Sequence, residues 1–146
     1  MTWIMALDPG KTTGIASLRV EDGEFVSTQA NFDETVSIVQ KAATTNREEL
    51  TLVSESFIIT QQTAKNTQAT WSLELIGFCR AMSRMHTGRD LVLQAPSQAK
   101  RFSSDERLKI MGWYTPGQGH ANDAARHLML FAVSRGLIDV KKLVLP

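Results

Sequence analysis

The sequence predicts an α/β domain, a five-stranded mixed sheet with its first three strands antiparallel, flanked by helices. Three observations predict it. Two apolar, β-branched runs end in a carboxylate, an Asp-Gly turn separates two alternating segments, and helical periodicities follow the strands in the order β-β-β-α-β-α-β-α. At 146 residues the chain fits one domain, spanning 1–146, that can bury its own core.

Residues 2–8 (TWIMALD) form an apolar run closed by Asp8 and the turn Pro9-Gly10. Residues 13–20 and 24–30 flank Glu21-Asp22-Gly23, a hairpin signal. Val36, Val39 and Ala43 place a helix over 33–45, with Asn31 or Asp33 as its cap. Residues 50–55 (LTLVSE) make a strand ending in Glu55. A long helix over about 63–85 follows, because Trp71, Leu75, Phe78, Met82 and Met85 repeat at four-three-four-three spacing as an apolar stripe. Residues 90–95 give the last strand, closed by Pro96. Short helices over 97–102 and 105–112 precede a Gly- and Pro-containing loop at 112–119. Ala124, Leu128, Phe131 and Ala132 define a final helix over 120–135.

Composition narrows the function classes. A single cysteine, Cys79, excludes a disulfide framework and a C-x-x-C zinc site, and reads as a core residue in a reducing cytoplasm. No apolar run approaches the ~18 residues of a membrane span, and no basic leader marks a secretion signal. Net charge is only +1, but residues 1–60 carry four Lys/Arg against nine Asp/Glu, while residues 61–135 carry ten against five. Such asymmetry is compatible with a basic face for a phosphate backbone inside a near-neutral total.

The chemistry rests on carboxylates. Asp8 and Glu55 close two strands, and Asp123 lies near the start of the last helix. Sites in open α/β sheets lie at the carboxyl ends of strands, so the first two acids converge if their strands are neighbours. Clustered carboxylates repel unless a cation sits among them, and oxygen donors suit Mg²⁺ or Mn²⁺. His120 and Asp123, three apart, share a helix face and would reach one ion; His127 lies a turn further on. The candidate catalytic and metal-binding residues are therefore Asp8, Glu55, His120 and Asp123.

The sequence resembles the RuvC-like Holliday junction resolvases of the small, phage-encoded kind. Ala6-Leu7-Asp8-Pro9-Gly10, followed by Thr13-Gly14-Ile15-Ala16, matches that family's first-strand acid and glycine turn, and Glu55 its second-motif glutamate. Ala64-Lys65-Asn66 and the helix containing Gly77 resemble its long second helix. Pro96 with Lys100 resembles its Pro-x-x-x-Lys segment, and His120-x-x-Asp123-Ala124 its C-terminal motif. The resemblance implies a ribonuclease H-like fold, a homodimer, two Mg²⁺ or Mn²⁺ ions per site, and paired nicks across branched DNA in the cytoplasm of a cell or phage host. Two departures bear on substrate preference: a longer stretch between Glu55 and Asn66, and a shorter chain than cellular members have.

Lys11, Lys100, Arg101, Arg107 and Lys109 are the candidate phosphate contacts, which position a duplex without reading its sequence. Phe57, Trp113 and Tyr114 are aromatic candidates for stacking on unpaired bases if they are exposed. Three alternatives stay open: an actin-like ATPase, which would need a second such domain; a nucleic-acid-binding module without chemistry; and a nuclease for forks, flaps or single strands. A P-loop at Gly10-Lys11-Thr12 is excluded, because Met5 stands where its first glycine is required.

Overall fold

β1 (Trp3–Asp8) lies at the centre of the sheet and is apolar on both faces, which is why it reads as a continuous hydrophobic run. The computed structural model describes residues 1–57, 68–139 and 141. After β1 come β2 (Thr13–Arg19), β3 (Glu24–Ala30), α1 (Phe32–Asn46), β4 (Leu50–Glu55), α2 (Gln68–Met82), β5 (Val92–Gln94), α3 (Pro96–Phe102), α4 (Asp105–Met111) and α5 (Gly119–Ser134). The described sheet has five strands in the order β3-β2-β1-β4-β5. β1 pairs antiparallel with β2 and β2 with β3, whereas β4 runs parallel to both β1 and β5. This is the expected mixed sheet with its antiparallel beginning.

The local reasons match the sequence. Gly23 adopts φ +72° in the turn between β2 and β3, where the Glu24 amide donates to the Asp22 carboxylate. Asn31 caps α1: its side chain accepts from the Glu34 amide, and Glu34 reaches back to the Asn31 amide. β5 is three residues long, shorter than the expected 90–95, and Pro96 opens α3 at its first turn, where a missing N–H is harmless.

Strand alternation decides what each face carries. Met5 and Leu7 of β1 pack with Ile15, Leu52 and Val39 of α1, and with Ile76 and Cys79 of α2. Ile4 and Ala6 pack on the other face with Ala16, Leu18, Val53 and the α5 residues Ala124, Leu128 and Met129. Alanines at 121, 124, 125 and 132 are fully buried, so α5 lies close over β1 and β2.

The apolar stripe of α2 differs from expectation. The buried line is Ser72, Leu75, Ile76, Cys79 and Ser83, while Trp71, Phe78 and Met82 are half-buried on its flank and Met85 is exposed. Met85 lies in a π turn over Ser83–Thr87, which rotates the helix end before Gly88 terminates it at φ +72°. The start of the expected helix, 63–67, and the Ala64-Lys65-Asn66 segment lie outside the described residues. The Cys79 thiol is buried and pushed up to about 12, so it stays protonated. Among the described residues no helix is long and apolar enough to cross a membrane.

Candidate active site

The same alternation that builds the core aims the acids. Asp8 shares parity with Ile4 and Ala6, Glu55 with Val53, and Gln94 of β5 with Val92, so all three project onto the α5 face. β1 and β4 are parallel neighbours, so Asp8 and Glu55 emerge side by side at their carboxyl ends. α5 begins directly above them. Gly14, paired with Asp8 across β1 and β2, makes this possible: a Cβ there would lie 1.8 Å from the His120 carbonyl oxygen. Gln29 of β3 accepts from the amides of His120 and Ala121, and the Asn122 side chain exchanges hydrogen bonds with Thr115. The start of α5 is therefore held by partners outside the helix.

Asp8 is buried and accepts a hydrogen bond from Glu55. Burial raises the Asp8 carboxyl above the usual carboxylate range, with the Glu55 hydrogen bond and the Lys100 charge opposing the rise. Glu55 is pushed up to about 8, first by burial, then by the hydrogen bond to Asp8 and the charges of Asp8 and Asp123. Both carboxyls are thus raised, burial being the first cause in each. His120 Nδ1 lies 3.0 Å from the other side of Asp8, at Oδ2, with its ring half-exposed. The fully buried His127 donates from Nδ1 to the Gln94 side-chain oxygen at 2.9 Å, and its Nε2 faces Glu55 at 4.0 Å. Burial lowers the His127 pKa, so the imidazole is neutral.

The structure thus brings Asp8, Glu55 and His120 into one chain of contacts, with Asp123 close enough to raise both acids. His120 meets Asp8, and the direct partner of Asp123 is Arg126 at 3.2 Å. Among the described residues, no three His, Cys, Asp or Glu side chains are arranged to hold a metal ion together. The donor set still has the chemistry of a divalent-cation site: a buried Asp8 and a half-buried Glu55 at adjacent strand ends, oxygen donors whose crowding a cation would relieve.

The basic cluster is divided. Lys100 is exposed on α3, near enough to Asp8 and His127 for its charge to act on both. Arg101 and Arg107 line a cavity of about 540 Å³ with Phe102 and Leu130. The Arg107 guanidinium donates to the Phe102 carbonyl at 2.6 Å and lies over that ring, so it first joins α3 to α4. Lys109 sits over the Tyr114 ring, and Lys11 is exposed in the turn after β1. Trp113 is buried and stacked on Phe25 with centroids 4.6 Å apart, so it cannot take up a base. Tyr114 packs partly against the same core, while Phe57 lines a cavity of about 380 Å³ beside Glu55, Pro9 and Ser72. Gln29, Gln94 and Arg126 were not marked by any motif, since their contacts with His120, His127, Ser103 and Asp105 join distant segments.

One consequence is testable without substrate. The folded pKa of Glu55 lies above its ordinary 4.5, so the folded state binds the extra proton, and stability is lost as pH rises from there toward about 8. Metal-free protein is expected to lose about 2 kcal/mol across that window, less than the whole shift because the carboxyl keeps some solvent. Melting curves at both ends of the window, beside those of Glu55→Gln, check this; an equal fall in the variant would assign the effect elsewhere.

A sheet ordered β3-β2-β1-β4-β5, with β1 and β4 parallel and α5 packed on it above the Asp8 and Glu55 strand ends, has the α/β architecture of the ribonuclease H-like fold. No family model matches the chain, and no curated protein matches it. Among solved structures it is similar to the RuvC of T. thermophilus in complex with a Holliday junction substrate, with a TM-score of 0.62, 15% identity, and 94% of this chain and 98% of that chain covered. At that identity the likeness establishes the shared fold.

Proposed function

We propose that this chain is a divalent-metal-dependent endonuclease for branched DNA, and that it resolves Holliday junctions by paired nicks as a homodimer. The observation that carries the reading is the meeting of Asp8 and Glu55 at the ends of neighbouring strands, with Glu55 pushed up to about 8 by burial and by its contact with Asp8. Asp8, Glu55 and Asp123, with His120 on Asp8, would hold Mg²⁺ or Mn²⁺, two ions per site. When bound, such ions lower the pKa of an attacking water and stabilise the leaving oxygen of a phosphodiester.

The chain's own residues supply placement. His127, tied to Gln94, walls Glu55 off on one side, and His120 limits the freedom of Asp8. Lys100, whose charge acts on Asp8, would meet a phosphate there, and Lys11, Arg101, Arg107 and Lys109 would add phosphate contacts. The junction itself as substrate is supported by the T. thermophilus RuvC, whose structure contains one. Two nicks on one symmetric particle require two sites, which a twofold dimer provides.

The test is cleavage by purified protein of a four-way junction, a fork, a flap and a linear duplex, with Mg²⁺, Mn²⁺ or chelator. Paired nicks in the junction that need metal, made by a particle of dimer mass in light scattering, are expected. Preference for the fork or flap would replace the substrate. Junction binding without cleavage under any metal would leave a non-catalytic binding module.

A further inference from the structure

Arg126 lies one turn beyond Asp123 on α5, and its guanidinium is held from three directions. Nε donates to Asp123 Oδ1 at 3.2 Å, Nη1 to the Ser103 carbonyl at 2.7 Å, and Nη2 to Asp105 Oδ1 at 2.5 Å. Ser103 is fully buried, and its hydroxyl donates back to the Arg126 carbonyl at 2.9 Å. The arginine side chain is 15% exposed, whereas that of Asp123 is 32% exposed. A rigid fork, anchored to the α3–α4 junction, thus grips a carboxylate that would otherwise be free to turn in solvent.

We propose that Arg126 is a positioning residue, one that fixes the Asp123 carboxylate for cation binding. The proposal rests on the metal-site reading above. Three physical points support it. Nε occupies only Oδ1 and leaves Oδ2 without a hydrogen-bond partner among the described residues. An aspartate held in one rotamer loses less freedom when it takes up an ion. Asp105 also pairs with the guanidinium, which offsets part of the positive charge beside the cation site. The same contacts join the segment carrying Lys100 and Arg101 to the acid, through Ser103 and Asp105.

Calorimetric titration of the DNA-free protein with Mn²⁺ tests this, using native protein, Arg126→Ala, Arg126→Lys and Asp105→Ala, each with a melting curve. Removing an outer partner of a ligand costs about 10- to 100-fold in metal affinity, which is the loss expected for Arg126→Ala. Arg126→Lys keeps the charge without the fork and should recover only part of that loss. Asp105→Ala breaks the tie to α4 but leaves the grip on Asp123, and should change affinity by less than about threefold. If Arg126→Ala does not fold, the lysine variant decides by the same comparison. Unchanged or tighter Mn²⁺ binding by a folded Arg126 variant would make the arginine a structural tie and overturn the inference alone. Failure of native protein to bind Mn²⁺ would overturn the metal-site reading and the inference with it.

Discussion

Asp8→Asn is expected to reduce junction cleavage by about a thousandfold or more, the ~4 kcal/mol that a metal-held water and leaving group are worth. Glu55→Gln and Asp123→Asn are expected to do the same. Binding should survive in all three. Removing a negative charge from a site that faces phosphate does not weaken attraction to DNA. Band-shift affinity measured beside single-turnover cleavage separates the two effects. Normal nicking by a variant at saturating Mg²⁺ or Mn²⁺ would remove that residue from the site. Loss of binding and cleavage together would instead point to damaged structure, which the melting curve of each variant would reveal.

Gly14→Ala is expected to cost about 3 kcal/mol or more of stability, an effect out of proportion to one methyl group. The added carbon would sit 1.8 Å from the His120 carbonyl oxygen and 2.2 Å from its carbonyl carbon, both backbone atoms of α5. No side-chain rotation relieves such an overlap, so either the helix start lifts or β2 is displaced. His120 and Asp123 ride on that helix start, so cleavage should fall further than the loss of folded protein explains. Denaturant unfolding and cleavage at a temperature where the variant is folded measure the two losses. A variant within about 1 kcal/mol of native would show that α5 is not held at this distance. Gly77 provides the contrast: it is a helical glycine with open space around its missing Cβ.

Much of the fold was legible because its signals are local. β3 and β4 begin and end where alternation and an Asp-Gly turn put them, and Asn31 caps α1 through a motif four residues long. The misreading of α2 has an equally local cause. Four-three spacing fits two adjacent faces of a helix, and for Met85 the sequence does not announce the π turn that rotates the helix end. Trp113 could not be assigned from sequence, since a tryptophan in a loop reads alike whether it meets solvent or Phe25, 88 residues away in the chain.

By itself the sequence determined the order of elements, the placement of Asp8 and Glu55 as the last residues of their strands, and, through period-two alternation, the face each acid takes once that face is known. What it left undecided depends on strand order and helix docking. Only the parallel pairing of β1 with β4 makes the two acids neighbours. Only the seating of α5 over Gly14 brings His120 onto Asp8. The hold of Ser103 and Asp105 on Arg126 and that of Gln94 on His127 depend on the same docking, together with the path of the chain from β5 through α3 to α4, whereas the reach of Arg126 to Asp123 lies within one turn of α5. A side chain's partner is set by chain distance when the contact lies within a turn or helix, and by packing when it crosses the core; the candidate site is built from contacts of the second kind.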